Sequence, residues 1–276
     1  MIYLIIVSIL WSFSFGIIKY GLSGVDSSYI SFIRSLIALL FFSSISIYNI
    51  KKFALDYKLI LIGALQFGLM YIFYIQSYAY LPAYLIATFT ITTPIFVGLS
   101  SKYIAHQSIS NNGIYAISLV IIGSFLMRVN FVNPLDYWFG FLLIQCANLF
   151  FASGQILFKE WKIKNDGADI LHNFSQMFLG ATLVTSLFYI LSANGSNQLS
   201  SENLFALIFL GLISTGLGFL FWNLGSLKVT NQKLAVMNNL IIPIAILNSY
   251  FIFGEQIDST TFVPGMICFY LALKAL

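Results

Sequence analysis

Residues 90–100, TITTPIFVGLS, and residues 239–249, NLIIPIAILNS, are the stretches that decide the fold. Each places a proline deep inside an apolar segment, and the two prolines, Pro94 and Pro243, lie 149 residues apart (243 − 94). In this register the hydropathy patterns match over about thirty positions, although few residues are identical. The pattern predicts two related halves, each containing a helix that a proline interrupts at mid-depth.

The composition indicates a membrane protein along the whole chain. Of the 276 residues, 59% are hydrophobic and 8% are charged, whereas soluble domains carry about 25% charged residues. The net charge of +4 comes from basic residues scattered between apolar segments. This indicates topology signals rather than a nucleic-acid-binding surface. Cys146 and Cys268 both fall inside apolar runs, which favours free thiols over a disulfide or a metal site.

The apolar runs predict an all-α integral membrane protein of ten transmembrane helices, since one span needs about 20 residues. The first run lacks a basic n-region and a cleavage site, so we expect it to remain as a helix. Residues 1–130 form the first five-helix repeat and residues 136–276 the second, joined by 130–136 with its Asn-Pro turn signal. The predicted segments are 2–20, 27–48, 57–80, 82–104, 110–128, 136–158, 168–192, 203–227, 232–254 and 258–275.

The basic residues predict the orientation of the helices. With the N-terminus in the cytoplasm, the outer connections hold only Lys19 and Arg128. This positive-inside bias places both termini in the cytoplasm. Because each repeat has an odd number of helices, the second repeat crosses the membrane in the opposite sense. Inverted repeats are typical of secondary transporters that open alternately to each side. The inner loops and the C-terminus hold Lys51, Lys52, Lys58, Lys102, Lys159, Lys162, Lys164, Lys228, Lys233 and Lys274.

Several short motifs resemble those of one family. Residues 210–216, LGLISTG, are similar to its "LGLVSTALAY" stretch, and residues 243–255 are similar to its "EPVFAALLGWLFLGE" ending. Residues 11–15, WSFSF, resemble its "WGSNF", and residues 32–34, FIR, resemble its "xxRF". With these motifs the whole chain resembles the EamA-type branch of the drug/metabolite transporter superfamily. One departure is the pair at 105–106, Ala-His, where the family pattern has Gly-Glu.

The resemblance implies a basket of ten helices around a central cavity. Helices 1–4 and 6–9 would surround the cavity, while helices 5 and 10 would support the outside and be tied to dimer contacts, so a homodimer is one expectation. Known relatives move amino acids and other small metabolites, frequently outward. The expected function is transport of a small polar or amphipathic metabolite, amino-acid-like being favoured. We expect an exporter, facilitator or exchanger in a bacterial-type inner membrane.

Arg34 is the only formal charge well inside a predicted span. A charge at that depth costs roughly 2.5–3.5 kcal/mol or more, so such residues usually face a cavity or a partner. One interpretation is an anchor for a substrate carboxylate, which the guanidinium fork can bind with two hydrogen bonds. The other interpretation is structural, with the side chain reaching interface carbonyls or capping a helix end.

Aromatic side chains suggest a pocket for an amphipathic molecule. Tyr71, Tyr74 and Tyr78 share one face of helix 3, and Trp222 falls on residue 73 in the repeat register. Aromatic-lined pockets with few polar groups suit such ligands, although Tyr and Trp also form interfacial belts. The candidate substrate-binding residues are Arg34, Tyr74, Tyr78, Asn148, Trp222, Asn223, Asn239 and Trp11.

Uncharged polar residues inside the spans have two interpretations. Any one of them can be hydrogen-bonding glue between helices. Gln66 matches Thr215 in the repeat register and Thr90 matches Asn239, which makes helices 3, 4, 8 and 9 the best places for a paired site. The prolines 94 and 243 are candidate gating residues, with a static kink as the alternative. The polar residues are Ser14, Gln66, Thr92, Thr93, Gln145, Asn148, Gln155, Gln176, Thr215, Asn238 and Asn239.

The positions of the titratable groups limit which transport mechanisms are expected. All nine carboxylates lie in loops or at helix ends, and neither histidine is midspan. This argues against proton coupling through a buried carboxylate and favours facilitated diffusion or exchange. A polytopic membrane enzyme is the main alternative, but the helices lack acidic pairs and an H-E-x-x-H motif, so no cofactor or metal is predicted. A channel-like pore remains open, although the inverted repeat favours a carrier.

Overall fold

The computed structural model describes residues 1–47, 55–128, 137–192, 199–253 and 258–276. Across these ranges the regular structure is entirely helical and forms ten segments, which confirms the predicted all-α membrane fold. Seven of the described helices are long and apolar enough to cross a membrane. The segments are α1 (Ile2–Gly21), α2 (Ser27–Ile47), α3 (Tyr57–Ala79), α4 (83–103), α5 (Asn111–Arg128), α6 (Trp138–Lys164), α7 (Ile170–Ser192), α8 (Ser201–Ser226), α9 (231–253) and α10 (Ser259–Lys274).

The helix ends agree closely with the sequence prediction except at one position. The predicted sixth segment stops at 158, whereas α6 continues to Lys164. Its last turns are held at the start of α3, where Trp161 Nε1 donates to Asp56 Oδ2 at 2.7 Å. The predicted join at 130–136 lies outside the described residues, as do Lys51, Lys52, Glu255 and the loop residues 193–198.

Short polar residues cap the helices and keep the connections short. Asp56 accepts from the backbone N–H of Lys58 at the start of α3, and Thr230 accepts from that of Lys233 at the start of α9. A capping box of Ser200 with Asn203 starts α8. These caps satisfy N–H groups that a helix leaves without an internal partner.

Glycines let particular helix pairs approach closely. A Cβ atom built on Gly180 of α7 would lie 1.8 Å from the carbonyl oxygen of Ile60 in α3, and one on Gly63 would lie 1.8 Å from that of Met177. Gly123 of α5 and Gly265 of α10 similarly face each other's carbonyls, at 2.8 and 2.7 Å. Small residues are how membrane helices pack backbone to backbone. Through these contacts α7 packs against α3, and α5 packs against α10.

The interruptions of the helices fall in matching places. In α3 a π-helical stretch covers Ala64–Leu69, and in α8 one covers Leu210–Leu217; the repeat register carries 64–69 onto 213–218, so the two overlap. In α4 a 3₁₀ turn, Thr90–Thr92, precedes Pro94. In α9 a turn at residues 239–240 precedes the helical stretch Ile241–Phe253, which contains Pro243. The two repeats therefore match in α3 and α8 as well as in the proline-containing helices α4 and α9.

The prolines restart helices rather than bend them. Pro94 is the second residue of Thr93–Tyr103, and Pro243 is the third residue of Ile241–Phe253. N–H groups in the first turn of a helix need no internal acceptor, so proline is tolerated there. The expected weakening of a helix turn consequently lies just before each proline, and a gating role for them stays a prediction.

Candidate functional site

A central cavity of about 120 Å³ lies between the two sets of helices. Side chains from α1, α2, α3, α4, α6, α8 and α9 line it, whereas α7, which the resemblance also placed there, contributes none. The lining residues include Trp11, Ser14, Arg34, Tyr71, Tyr74, Thr90, Thr93, Asn148, Phe151, Ser214, Phe219, Trp222 and Asn238. The cavity is thus built from both repeats and borders the interrupted turns of α4 and α9.

Arg34 is buried at the cavity with a fixed guanidinium group. It is 2% exposed, its Nε donates to Thr215 Oγ1 at 3.2 Å, and its Nη2 donates to Tyr71 Oη at 3.0 Å. Tyr71 Oη and Thr215 Oγ1 are themselves 2.7 Å apart. The guanidinium carbon also lies 4.4 Å from the centre of the Tyr71 ring. These contacts join α2 and α3 of the first repeat to α8 of the second.

The charge of Arg34 is not compensated by the part of the chain that the structure describes. Its Nη1 is buried without a hydrogen-bond partner, and the two ion pairs found among these residues involve other groups. Among the described residues no carboxylate lines the cavity. A buried charge without a partner costs several kcal/mol, so a bound anion would complete the site. A carboxylate fits, because the guanidinium fork matches its geometry.

Four rings form an aromatic wall on the cavity. The ring of Trp11 lies 5.1 Å from Trp222, 5.0 Å from Phe219 and 5.8 Å from Phe151, centre to centre. Both indoles are anchored, since Trp11 Nε1 donates to the Ser214 carbonyl at 2.9 Å and Trp222 Nε1 donates to Gln155 Oε1 at 2.9 Å. The wall offers a rigid apolar surface for the body of a ligand.

The tyrosines of α3 divide between the cavity and its edge. Tyr71 and Tyr74 line the cavity, whereas Tyr78 does not. Tyr78 reaches the site indirectly, with its hydroxyl 2.8 Å from that of Tyr74 and its carbonyl accepting from Lys19 Nζ at 3.2 Å. Tyr71 was not among the predicted site residues, although its place on the same helix face as Tyr74 was a usable signal.

Asn223 and Asn239 lie behind the cavity wall. The amide of Asn223 is buried against Gln66, whose Nε2 donates to Asn223 Oδ1 at 3.0 Å. Asn239 Nδ2 donates to the Ile91 carbonyl at 2.9 Å and to Ser124 Oγ at 3.3 Å. Neither residue lines the cavity. Both amides connect helices, and Asn239 Oδ1 is buried without a partner among the described residues. The neighbour of Asn239, Asn238, lines the cavity and was not a predicted site residue.

Both histidines lie away from the cavity in the described residues. His106 follows α4, and His172 is in the first turn of α7, where its Nδ1 lies 2.6 Å from Asp169 Oδ2. Burial opposes the charge of Asp169, yet hydrogen bonds from His172 and from the backbone outweigh it and hold the pKa of this carboxyl below its usual value. The pair belongs to a helix end, not to the cavity.

Interrupted helices around a polar and aromatic cavity that contains one buried cation are features expected of a small-molecule membrane transporter. Comparison with known proteins gives the family. The model of the EamA-like transporter family matches residues 1–129 and 138–273. The chain therefore belongs to the EamA-like transporter family, and the resemblance read from its motifs is confirmed.

The chain is similar to several transporters, and the similarity extends over nearly the whole length of both sequences. The "Biotin transporter" of Salmonella typhimurium is 31% identical over 268 residues, which cover 95% of this chain and 88% of that protein. The "Biotin transporter" of Escherichia coli is 30% identical over 273 residues, covering 98% and 90%. The "Probable biotin transporter" of Pseudomonas aeruginosa is 31% identical over 260 residues, covering 93% and 90%. These relatives indicate a transporter rather than an enzyme.

The fold is also found in a solved structure. A chain described only as "Crystal structure of protein" superposes with a TM-score of 0.77 at 13% sequence identity. The match covers 99% of this chain and 95% of the other. At this identity it supports the shared architecture alone.

Proposed function

We propose that the chain carries biotin across the membrane by alternating access of its two repeats. The observation that carries this proposal is Arg34, a buried guanidinium at the central cavity whose Nη1 has no partner in the described residues. Biotin is a monocarboxylate, ionised at neutral pH as carboxyl groups with a pKa near 4 are. Its carboxylate would accept a hydrogen bond from Nη1 of Arg34. The choice of biotin as the substrate rests on the similarity to biotin transporters.

The cavity favours biotin over the amino-acid-like substrate that the sequence alone suggested. Both molecules bring a carboxylate to Arg34, but an amino acid also brings an ammonium group. The lining residues include no acid to receive it, and an unpaired buried charge is costly. The apolar, sulfur-containing ring of biotin instead fits against the aromatic wall of Trp11 and Trp222.

The size of the cavity requires movement during transport. Its volume of about 120 Å³ is below the roughly 300–1,000 Å³ of sites that enclose drug-sized molecules. The two repeats must therefore separate around the substrate, and the interrupted turns before Pro94 and Pro243 are the places where α4 and α9 bend. Because no acidic residue lies deep within a predicted span, we expect biotin to move down its own concentration gradient or by exchange. The proposed location is a bacterial-type inner membrane with both termini cytoplasmic, the homodimer being a further expectation.

Counterflow in liposomes tests the function. Purified protein is reconstituted with unlabelled biotin inside, and entry of labelled biotin is followed at rising external concentration. We expect saturable uptake that biotin methyl ester does not inhibit. Arg34→Gln should lower uptake about 10- to 100-fold, because a hydrogen bond to a charged group contributes ~1.5–3 kcal/mol.

Lys102→Gln is the matched control, since it removes one positive charge from an exposed helix end and should leave uptake unchanged. Uptake that never saturates would replace the carrier by a channel. Equal uptake by the Arg34→Gln variant and the unmodified protein would remove Arg34 from the site, and no uptake above that of protein-free liposomes would refute biotin as the substrate.

A further inference from the structure

Two asparagines at the cavity each leave one amide oxygen without a donor in the part of the chain that the structure describes. Asn148 of α6 is 5% exposed and Asn238 of α9 is 9% exposed, and both line the cavity. The hydrogen bonds that the described residues make to these side chains all involve Nδ2. The Oδ1 atoms are therefore the polar atoms that remain for a ligand.

Backbone carbonyls fix the orientation of both amides. Asn148 Nδ2 donates to the Phe89 carbonyl at 3.0 Å, and Asn238 Nδ2 donates to the Leu234 carbonyl at 2.8 Å. A carbonyl oxygen can only accept, so the amide atom that faces it must be the nitrogen. Each free Oδ1 is consequently an acceptor, and it requires a donor on the ligand.

Asn148 and the neighbour of Asn238 are bonded to the interrupted turn of α4, which takes no part in the hydrogen bonds of Arg34. Asn148 bonds to the carbonyl of Phe89, and Asn239, directly after Asn238, bonds to that of Ile91, two residues further along. The guanidinium of Arg34 is held instead by α3 and α8. The cavity therefore has one site for an anion and a separate pair of acceptors.

We propose that Asn148 and Asn238 accept hydrogen bonds from the two N–H groups of a cyclic urea while Arg34 binds the carboxylate of the same substrate. This rests on the proposed function, since biotin carries both groups. A site built to hydrogen-bond a substrate N–H rejects an analogue that lacks it, because the buried acceptor is then left unpaired. The two asparagines thus determine specificity among carboxylates of similar shape.

Competition against labelled biotin counterflow tests the pair. Desthiobiotin keeps the urea and the carboxylate, whereas lipoate keeps the valerate tail and a sulfur ring but has no N–H. Unmodified protein should prefer biotin and desthiobiotin strongly over lipoate. Asn148→Leu and Asn238→Leu, which keep the side-chain size, should each reduce the preference for biotin over lipoate about three- to tenfold, the value of one hydrogen bond.

The control variant is Gln145→Leu. Gln145 donates to the same Phe89 carbonyl at 3.3 Å but does not line the cavity, so its loss should leave the preference unchanged. The preference is a ratio within one sample, so it does not depend on the amount of folded protein. Unmodified protein gives a second test without any variant: biotin methylated on one urea nitrogen should compete more weakly than biotin.

Three results would overturn the inference. If biotin is carried but both leucine variants keep the preference, or lose biotin and lipoate alike, the asparagines do not recognise the urea, and the proposed function stands. Equal competition by biotin and its N-methyl derivative has the same meaning. Absence of biotin counterflow in unmodified protein removes the proposed function and the inference together.

Discussion

Asn239 Nδ2 donates to the carbonyl oxygen of Ile91 at 2.9 Å, so the interrupted helix of the second repeat is bonded to the interrupted helix of the first. Pro94 has no N–H to offer the preceding turn, and a side chain from the other repeat takes the place of that donor. In a membrane such a carbonyl must be satisfied internally. The bond therefore stabilises both interruptions.

Asn239→Ala should destabilise the protein by about 1–3 kcal/mol, because it leaves the buried Ile91 carbonyl unpaired. The measurement is the thermal melting of the detergent-solubilised protein. Asn112→Ala, at an exposed position near the start of α5, is the control and should melt as the unmodified protein does. Equal melting of the two variants would mean that the carbonyl finds another donor.

Gly180→Ala should also lower stability, by about 1–3 kcal/mol as in other overpacked contacts. The added carbon would lie 1.8 Å from the backbone oxygen of Ile60, and no side-chain rotation can relieve a clash with backbone. Gly16→Ala in α1 is the matched control, since a Cβ there meets nothing within 4 Å. It should be neutral or stabilising by up to about 1 kcal/mol. A Gly180→Ala variant that melts like Gly16→Ala would show that α3 and α7 separate easily.

Features that depend on local composition could be predicted from the sequence. Contacts that depend on how the helices rotate relative to one another could not. Ten segments follow from hydropathy, and the repeat follows from its prolines. The depth of Arg34 was also predictable, since it depends only on position within a span. Its partners Tyr71 and Thr215 were not, because they come from two other helices, and no local pattern encodes how those helices rotate relative to α2.

The same limit explains the two neighbouring asparagines of α9. The repeat register favoured Asn239, which matches Thr90, but the turn that interrupts α9 presents Asn238 to the cavity and directs Asn239 toward Ile91. The π-helical stretch at Leu210–Leu217 was missed for a related reason. Its residues, LGLISTG, served as a family motif, and nothing in them distinguishes π from α hydrogen bonding.

Trp222→Ala should raise the half-saturation concentration for biotin about 30-fold or more, because a central buried tryptophan contributes ~2 kcal/mol or more at such contacts. Trp222→Phe keeps a ring on the wall but loses the hydrogen bond to Gln155, and it should raise this concentration about threefold. Concentration-dependent uptake in liposomes measures both. If alanine and phenylalanine have the same effect, the ring itself does not contact the substrate.

The orientation set by the loop lysines can be checked by labelling. In a Cys146→Ala, Cys268→Ala background, Ser23→Cys between α1 and α2 should react with a membrane-impermeant maleimide added to intact cells. Lys58→Cys at the start of α3 should react only after the cells are opened, as the positive-inside rule places it in the cytoplasm. Both positions are exposed. The opposite labelling pattern would invert the proposed topology.

Gln66 and Asn223 form a reciprocal amide pair between α3 and α8. Gln66 Nε2 donates to Asn223 Oδ1 at 3.0 Å, and Asn223 Nδ2 lies 3.5 Å from Gln66 Oε1. Both side chains are fully buried. The pair joins the two repeats within the same pair of helices as the Tyr71–Thr215 contact, and neither amide lines the cavity.

A double-mutant cycle should show strong coupling in this pair. Gln66→Leu or Asn223→Leu alone leaves one buried amide unpaired and should cost about 1–3 kcal/mol. The double variant removes both polar groups, so it should melt at a higher temperature than either single variant, because nothing is left unsatisfied. A double variant as unstable as the sum of the two single variants would mean that the amides act independently. In that case the repeats would be held together at α3 and α8 by the contact of Tyr71 with Thr215 and by apolar packing.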